Sequence, residues 1–152
     1  MPEALDPATL ARRCAEEMWS SDAASQALGM TLDHVGPGVA TMSMTVGPAM
    51  VNGHDLCHGG LVATLADSAF AFACNSRGTV TVAAGFQVDF LESARLGDVL
   101  VAEAREVTLR GRAGVYDVTV RRGETVIAEF RGRSRGLGRP VLPPGPLRPA
   151  SP

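Results

Sequence analysis

Asp67 is the only ionisable side chain between Leu61 and Cys74, an apolar run whose other polar residues are Thr64 and Ser68. Burying an unpaired carboxylate costs several kcal/mol, so such a group has a partner, a raised pKa or a chemical task. Two readings stand at this point: an Asp bonded to a neighbouring loop or strand backbone, or an acid, base or nucleophile. Just upstream lies His58-Gly59-Gly60. Two residues without side chains let another molecule approach the backbone, and open amides at a helix start suit a developing oxyanion or a polarised carbonyl. Taken alone, the glycine pair is equally a tight turn into a packed helix.

Combining the two features imposes a geometric condition. Gly59 and Asp67 are eight positions apart, about 12 Å along a helix axis, whereas one reacting carbonyl needs its donor and its carboxylate each within about 3 Å. One chain does not bring them together. If both act on one acyl group, the second comes from another subunit, with two such helices antiparallel across a two-fold axis. A homodimer would then be required, with two equivalent sites.

Other constellations are weaker. His54, Asp55, Cys57 and His58 are ligand types for a metal, yet the glycine-rich entry keeps the two histidines off a shared helical face, so no metal is expected. Cys57 beside His58 suggests a thiol nucleophile, but no orienting carboxylate is placed beside them. No Gly-x-Gly-x-x-Gly or Walker pattern is present, and no cofactor is called for. Between Arg105 and Arg139 nine arginines stand against four acidic residues. Most of these suit solvated strand edges; a few are candidates for the phosphates of a carrier such as coenzyme A.

The elements that position these residues follow from periodicity. Asp6-Pro7 starts a helix to about Trp19, with Leu10, Cys14 and Met18 on its apolar stripe. A second short helical turn covers Asp22 to Leu28. Met30–Val35 and Val39–Val46, split by Gly36-Pro37-Gly38, form a hairpin. The central helix runs from Gly59 to about Ser76 and, being apolar nearly all round, is expected to be enclosed. After it the period becomes two: Phe86, Val88 and Phe90; Val99 to Arg110; Tyr116, Val118 and Val120; Val126, Ala128 and Phe130. Glycine turns at Gly97, Gly111 and Gly123 make these an antiparallel meander.

The composition bounds the rest. A chain of 152 residues, 45% hydrophobic and 20% charged, is expected to form one domain. The net charge of -2 offers no broad attraction to nucleic acid or to an anionic membrane surface. No apolar run is long enough to span a bilayer, and the first residues lack a signal peptide's order, so a cytoplasmic location is expected. Cys14, Cys57 and Cys74 are too few and too scattered for a disulfide framework. Residues 1–27 read as an N-terminal helical segment, 28–138 as the main domain, and 139–152, with most of the prolines, as a disordered tail.

The run Asn52-Gly53-His54-Asp55-Leu56-Cys57-His58-Gly59-Gly60, followed by Leu65-Ala66-Asp67-Ser68-Ala69-Phe70, resembles the hotdog-fold acyl-CoA thioesterases of the phenylacetic acid degradation type. Gly114-Val115-Tyr116-Asp117 and Phe130-Arg131-Gly132-Arg133-Ser134 resemble that group's later strands. The resemblance implies an α+β hotdog fold, a long central helix wrapped by an antiparallel sheet of five to six strands, in a homodimer and often a homotetramer. It implies Asp67 as catalytic carboxylate, acting as nucleophile or general base, and the Gly59 amide of the opposing subunit as the group polarising the thioester. Asn52 and His58 would orient substrate or water. Gly60, Ser68, Phe86, Gln87 and Ser93 would border the substrate. The implied substrate is phenylacetyl-CoA or hydroxyphenylacetyl-CoA. One departure stands out: the family's Leu-Arg-Pro strand exit is replaced by Leu91-Glu92-Ser93. The alternatives are a hotdog hydratase or dehydratase using His58 and Asp67, and an acyl-CoA-binding module without turnover.

Overall fold

A computed structural model describes residues 4–145. Helix α1 spans Pro7–Trp19, and the Asp6 carboxylate caps it by accepting from the Thr9 N–H at 3.0 Å. A one-turn helix α2, Ala23–Ala27, is capped in the same way by Asp22. Strands β1 (Thr31–Gly36) and β2 (Val39–Thr45) form the expected hairpin. The central helix α3, Gly59–Asn75, precedes β3 (Thr79–Phe90), β4 (Val99–Arg110), β5 (Ala113–Arg122) and β6 (Thr125–Pro140).

All six strands join one antiparallel sheet in the order β1-β2-β4-β5-β6-β3. The sheet wraps α3, which is the hotdog arrangement the resemblance implies. The meander expectation holds only for β4-β5-β6. Strand β3 pairs with β6 instead of β4 and closes one edge, because the long final strand has two faces of backbone to fill and only one is taken by β5. Both strands are also longer than the alternation suggests. Thr79 to Gly85 and Gly132 to Pro140 carry glycines and small residues that blur a period of two. β6 thus reaches Pro140, and residues 146–152 of the proline-rich segment lie outside the described residues.

The core forms where α3 meets the sheet. Leu65, Ala66, Ala69, Phe70, Phe72 and Ala73 are buried against Met42, Leu100, Tyr116, Val118 and Phe130. Phe70 is the keystone of an aromatic run, 5.5 Å from the Tyr116 ring and 5.8 Å from Phe130, with Phe86 stacked 4.8 Å beyond. The helix approaches this closely because Gly132 has no side chain: a Cβ there would stand 2.8 Å from the Phe70 ring. Trp19 packs on Phe72 and fastens α1 to the same core.

Enclosure of α3 is incomplete, contrary to expectation. Gly60 is exposed, and Thr64, Asp67, Ser68 and Ala71 are half-buried, a stripe at helical spacing that the chain's own sheet leaves uncovered. A single sheet covers one side of a helix, and helices α1 and α2 add too little to finish the other. On the sheet, the free edge β3 exposes Phe86 and Phe90 on the α3 side, at 45% and 52%, and Val82 on the outer side, at 44%. An apolar face of this kind marks an interaction surface.

Candidate active site

The amino end of α3 is capped by its own histidine. The Nδ1 of His58 accepts from the Gly60 N–H at 3.0 Å, which places the ring proton on Nε2 and leaves that N–H to donate elsewhere. The next amides, Leu61 and Val62, reach the His58 carbonyl. The Gly59 N–H makes no hydrogen bond among the described residues, so one amide stands open at the positive end of the helix dipole. Phe90 flanks it: a Cβ on Gly59 would lie 3.1 Å from the Phe90 ring. A shallow cavity of about 350 Å³ opens at this end, lined by Ala49, Met50, Val51, His58, Gly60 and Leu61.

Asp67 lies two turns further along α3, about 12 Å from Gly59, on the uncovered stripe. It forms no hydrogen bond or ion pair among the described residues, which removes the reading of a carboxylate spent on a neighbouring backbone. Burial alone raises its pKa above the ordinary carboxylate value. A half-buried carboxylate without a partner, on an apolar helix, is what a base or nucleophile requires before substrate arrives. Within one chain, then, the open amide and the free acid do not meet.

The loop before the helix explains Asn52. Its Oδ1 accepts from the N–H groups of His54 (2.9 Å) and Leu56 (3.3 Å), holding a tight loop in which Asp55 adopts a left-handed φ of 60°. A Val51–Cys57 bridge and the bonds from Cys57 N–H to Ala94 O and His58 N–H to Met50 O close it. Asn52 therefore shapes the loop that presents His58 and Gly59. Ser68 is likewise engaged, its Oγ 2.8 Å from that of Ser25, tying α2 to α3 beside the acid. Phe86 and Gln87 are exposed on β3, and Phe86 shares the inner face with Val88 and Phe90.

Two contacts were not legible beforehand. Phe90 covers Gly59, and nothing in its alternation distinguishes it from Phe86. Arg122 of β5 donates to the Ser93 carbonyl and lies 3.8 Å from Asp98, so a guanidinium does stand at the departed strand exit, supplied by another strand. The alternative chemistries find little support. The Cys57 thiol is buried, and its pKa is pushed up by that burial and by Asp98, the reverse of an activated nucleophile. Among the described residues no three His, Cys, Asp or Glu side chains gather as a metal site, and no helix is long and apolar enough to cross a membrane.

A wrapped helix with an open glycine amide at one end and an unpaired carboxylate at its middle defines a class. The thioesterase superfamily model matches residues 54–129, and the chain belongs to that superfamily: it is a thioester hydrolase with the hotdog fold. It is 42% identical over 125 residues to the acyl-coenzyme A thioesterase PaaI of Escherichia coli, covering 82% of this chain and 89% of that one. The solved structure of E. coli PaaI, from the phenylacetic acid degradation operon, superposes with a TM-score of 0.87 at 38% identity, over 89% of this chain and 99% of that one. A Streptococcus mutans protein solved with acetyl-CoA bound matches with a TM-score of 0.66 at 26% identity, over 68% of this chain and 85% of that one.

Proposed function

We propose that the chain hydrolyses aryl-acetyl thioesters of coenzyme A, phenylacetyl-CoA or a ring-hydroxylated phenylacetyl-CoA, in a homodimer whose two sites each combine residues of both subunits. The observation that carries this reading is the free Asp67 carboxylate on the uncovered stripe of α3, in a chain whose Gly59 amide is open and too distant to share its substrate. The dimer supplies what each chain lacks. Two α3 helices packed antiparallel through their uncovered stripes would bring the Gly59 N–H of one to the Asp67 of the other. The exposed edge β3, with Val82, Phe86 and Phe90, would be covered in the same step.

In such a site the thioester carbonyl oxygen accepts from the Gly59 N–H, and the helix dipole stabilises the negative charge that develops on it. Asp67, ionised, either attacks the carbonyl carbon or takes a proton from water that does so. The C–S bond then breaks, and the thiolate leaves with a proton from solvent; after direct attack, water cleaves the acyl–aspartyl anhydride to release the acid and restore the carboxylate. The Nε2–H of His58 is a donor for the acyl oxygen or the water, and Asn52 holds the loop that aims it. Gly60 leaves space beside that ring, and Phe86, Gln87 and Ser93 would border the pantetheine path along β3 and its exit. Ser68 would steady the helix next to the acid. The acyl-CoA preference is supported by the PaaI relative, which bears that name, and a cytoplasmic tetramer built from two dimers fits the same reading.

The hydratase alternative would need His58 and Asp67 as one acid–base pair, but within one chain they lie at least as far apart as Gly59 and Asp67, and the capping tautomer leaves His58 a donor at Nε2, not a base. Thiol release from a panel of aryl and fatty acyl-CoA thioesters tests the proposal. Phenylacetyl-CoA is expected to be among the fastest substrates, and Asp67→Asn to lower kcat by at least about 10³-fold while the protein stays folded. Wild-type turnover by Asp67→Asn would overturn the assignment. Turnover without thiol release would favour hydration, and tight binding without turnover would favour a binding module.

A further inference from the structure

We infer that the carboxyl end of α3 holds a second small-molecule site, one for a hydroxyaryl monocarboxylate, built from the Ser134 hydroxyl, the Arg112 guanidinium and the space over Gly136. A cavity of about 270 Å³ lies there, between the last turn of α3 and the α3-facing side of β5 and β6, walled by Cys74, Thr81, Leu109 and Tyr116. Register explains the placement. Gly132 sits under the Phe70 ring, so Ser134 and Gly136, the next residues on that face of β6, run beneath the helix end, paired with Gly114 and Thr81. The proposed catalytic carboxylate is elsewhere: Asp67 precedes Cys74 by two helical turns, about 10 Å along the axis.

This cavity is set apart by polar groups that lack partners. Ser134 is 4% exposed and its Oγ has no hydrogen-bond partner among the described residues, a destabilising state for a buried hydroxyl that a polar atom of a ligand relieves. The neighbouring groups are spent: the Tyr116 hydroxyl and the Arg77 guanidinium on Glu106, the Thr81 hydroxyl on the Thr79 carbonyl, and the Cys74 thiol on the Ala71 carbonyl. Arg112, by contrast, has no carboxylate within 4 Å among the described residues, and no acidic residue lines the cavity. Gly136 supplies room. Its φ is not left-handed, and a Cβ there would meet nothing nearer than the Thr79 Cγ2 at 3.7 Å, so neither the backbone nor close packing demands a glycine. What it preserves is open volume, many times that of one bridging water.

Spacing then selects the ligand. Ser134 and Gly138 are four residues apart on β6, about 13 Å, and the Arg112 Nη2 stands 3.0 Å from where a Gly138 Cβ would be. With a hydrogen bond of about 3 Å at each end, one molecule bridging hydroxyl and guanidinium has its own polar ends about 7 Å apart. A benzene ring with a hydroxyl para to a one-carbon acid arm has that span. Its flat body suits Leu109 and the Tyr116 ring, and its carboxylate accepts from the guanidinium fork. A small inorganic anion would reach only one of the two groups. The same chemistry describes the acid that hydrolysis of a ring-hydroxylated phenylacetyl thioester would release; that connection rests on the reading above, and the site itself does not.

Calorimetric titration with 4-hydroxyphenylacetate, phenylacetate and 4-hydroxybenzyl alcohol tests the inference. The hydroxy acid is expected to bind at least about threefold more tightly than phenylacetate, which lacks the hydroxyl, and at least about tenfold more tightly than the alcohol, which lacks the carboxylate. Ser134→Ala should erase the first difference and Arg112→Gln the second. Asp67→Asn should leave the affinity unchanged, whereas an acid seated beside Asp67 would bind more tightly once that charge is gone. Should either cavity variant melt below wild type, Gly136→Ala takes its place: it keeps both polar groups, narrows the cavity and is expected to weaken binding by at least about threefold. No binding of 4-hydroxyphenylacetate, the result for a cavity that holds water only, overturns the site. Equal affinity in Arg112→Gln and wild type, or tighter binding in Asp67→Asn, does the same. The titration needs no turnover, so binding without thiol release from any thioester would sink the hydrolase reading and leave this site standing, and thiol release without binding would do the reverse.

Discussion

Asp67 carries opposite consequences for stability and for activity. Burial raises its pKa, so the folded state favours the protonated form. That contribution is fully present below the ordinary carboxylate pKa and is lost as pH rises through the raised folded value, so at neutral pH the ionised acid is a liability to the fold. Asp67→Asn removes the charge and keeps the shape. Thermal melts should show the variant about 2–4 °C more stable than wild type at pH 7, with the gap closing in acid. An unchanged or lower melting temperature at pH 7 would mean the carboxylate has a partner after all. Wild-type kcat should also fall with acidification through a pKa above that of an ordinary aspartate, since hydrolysis needs the ionised form. Glu106 and Asp117 behave in the opposite sense. Arg77 holds Glu106 low, with the Tyr116 hydroxyl helping, and Arg131 and Arg105 hold Asp117 low. Their stabilisation exists above the ordinary carboxylate range and fades as pH drops through the lowered values, modestly because these pairs meet solvent.

At the scale of elements, the site depends on how α3 begins. Ser, Thr or Asp usually caps a helix; here a histidine side chain does so, and in doing so fixes its own tautomer. Structure and chemistry are thereby separable by substitution. His58→Ala loses the cap and should lower Tm by about 2–4 °C, an N-cap being worth about 1 kcal/mol. His58→Asn restores a capping acceptor and should melt close to wild type, yet it lacks the outward Nε2–H and should remain impaired in thiol release. If His58→Asn matches wild type in both melting and kinetics, the ring is a cap and nothing more.

At the scale of the whole molecule, the chain leaves its helix uncovered along one stripe and its longest sheet edge partly apolar, the two surfaces that the proposed dimer would cover. Mixing Asp67→Asn subunits with Gly59→Ala subunits is the direct check. The alanine methyl would press on Phe90 and crowd the open amide. Each homodimer should be nearly inactive. A random mixture gives half heterodimers, each holding one intact site, so after exchange about a quarter of wild-type activity should return. No recovery despite subunit exchange would refute a site shared between chains.

Much of this molecule was readable in its residues. Local chemistry sets α1 through the Asp6-Pro7 start, the β1-β2 hairpin through its glycine turn, and α3 through an unbroken apolar run, because caps, turns and periodicity act over a few residues. The same local logic singled out Asp67 and Gly59 and showed that eight helical positions keep them apart. Other features depended on contacts between distant segments. That β3 pairs with β6 across about forty to sixty residues, that Ser68 is spent on Ser25, that Asn52 folds its own loop, and that Arg122 reaches Ser93 are all choices among partners of similar local character. Periodicity tells which face of an element is apolar and is silent on which neighbour covers it. Only the packed sheet decided that one stripe of α3, with its acid, would be left uncovered.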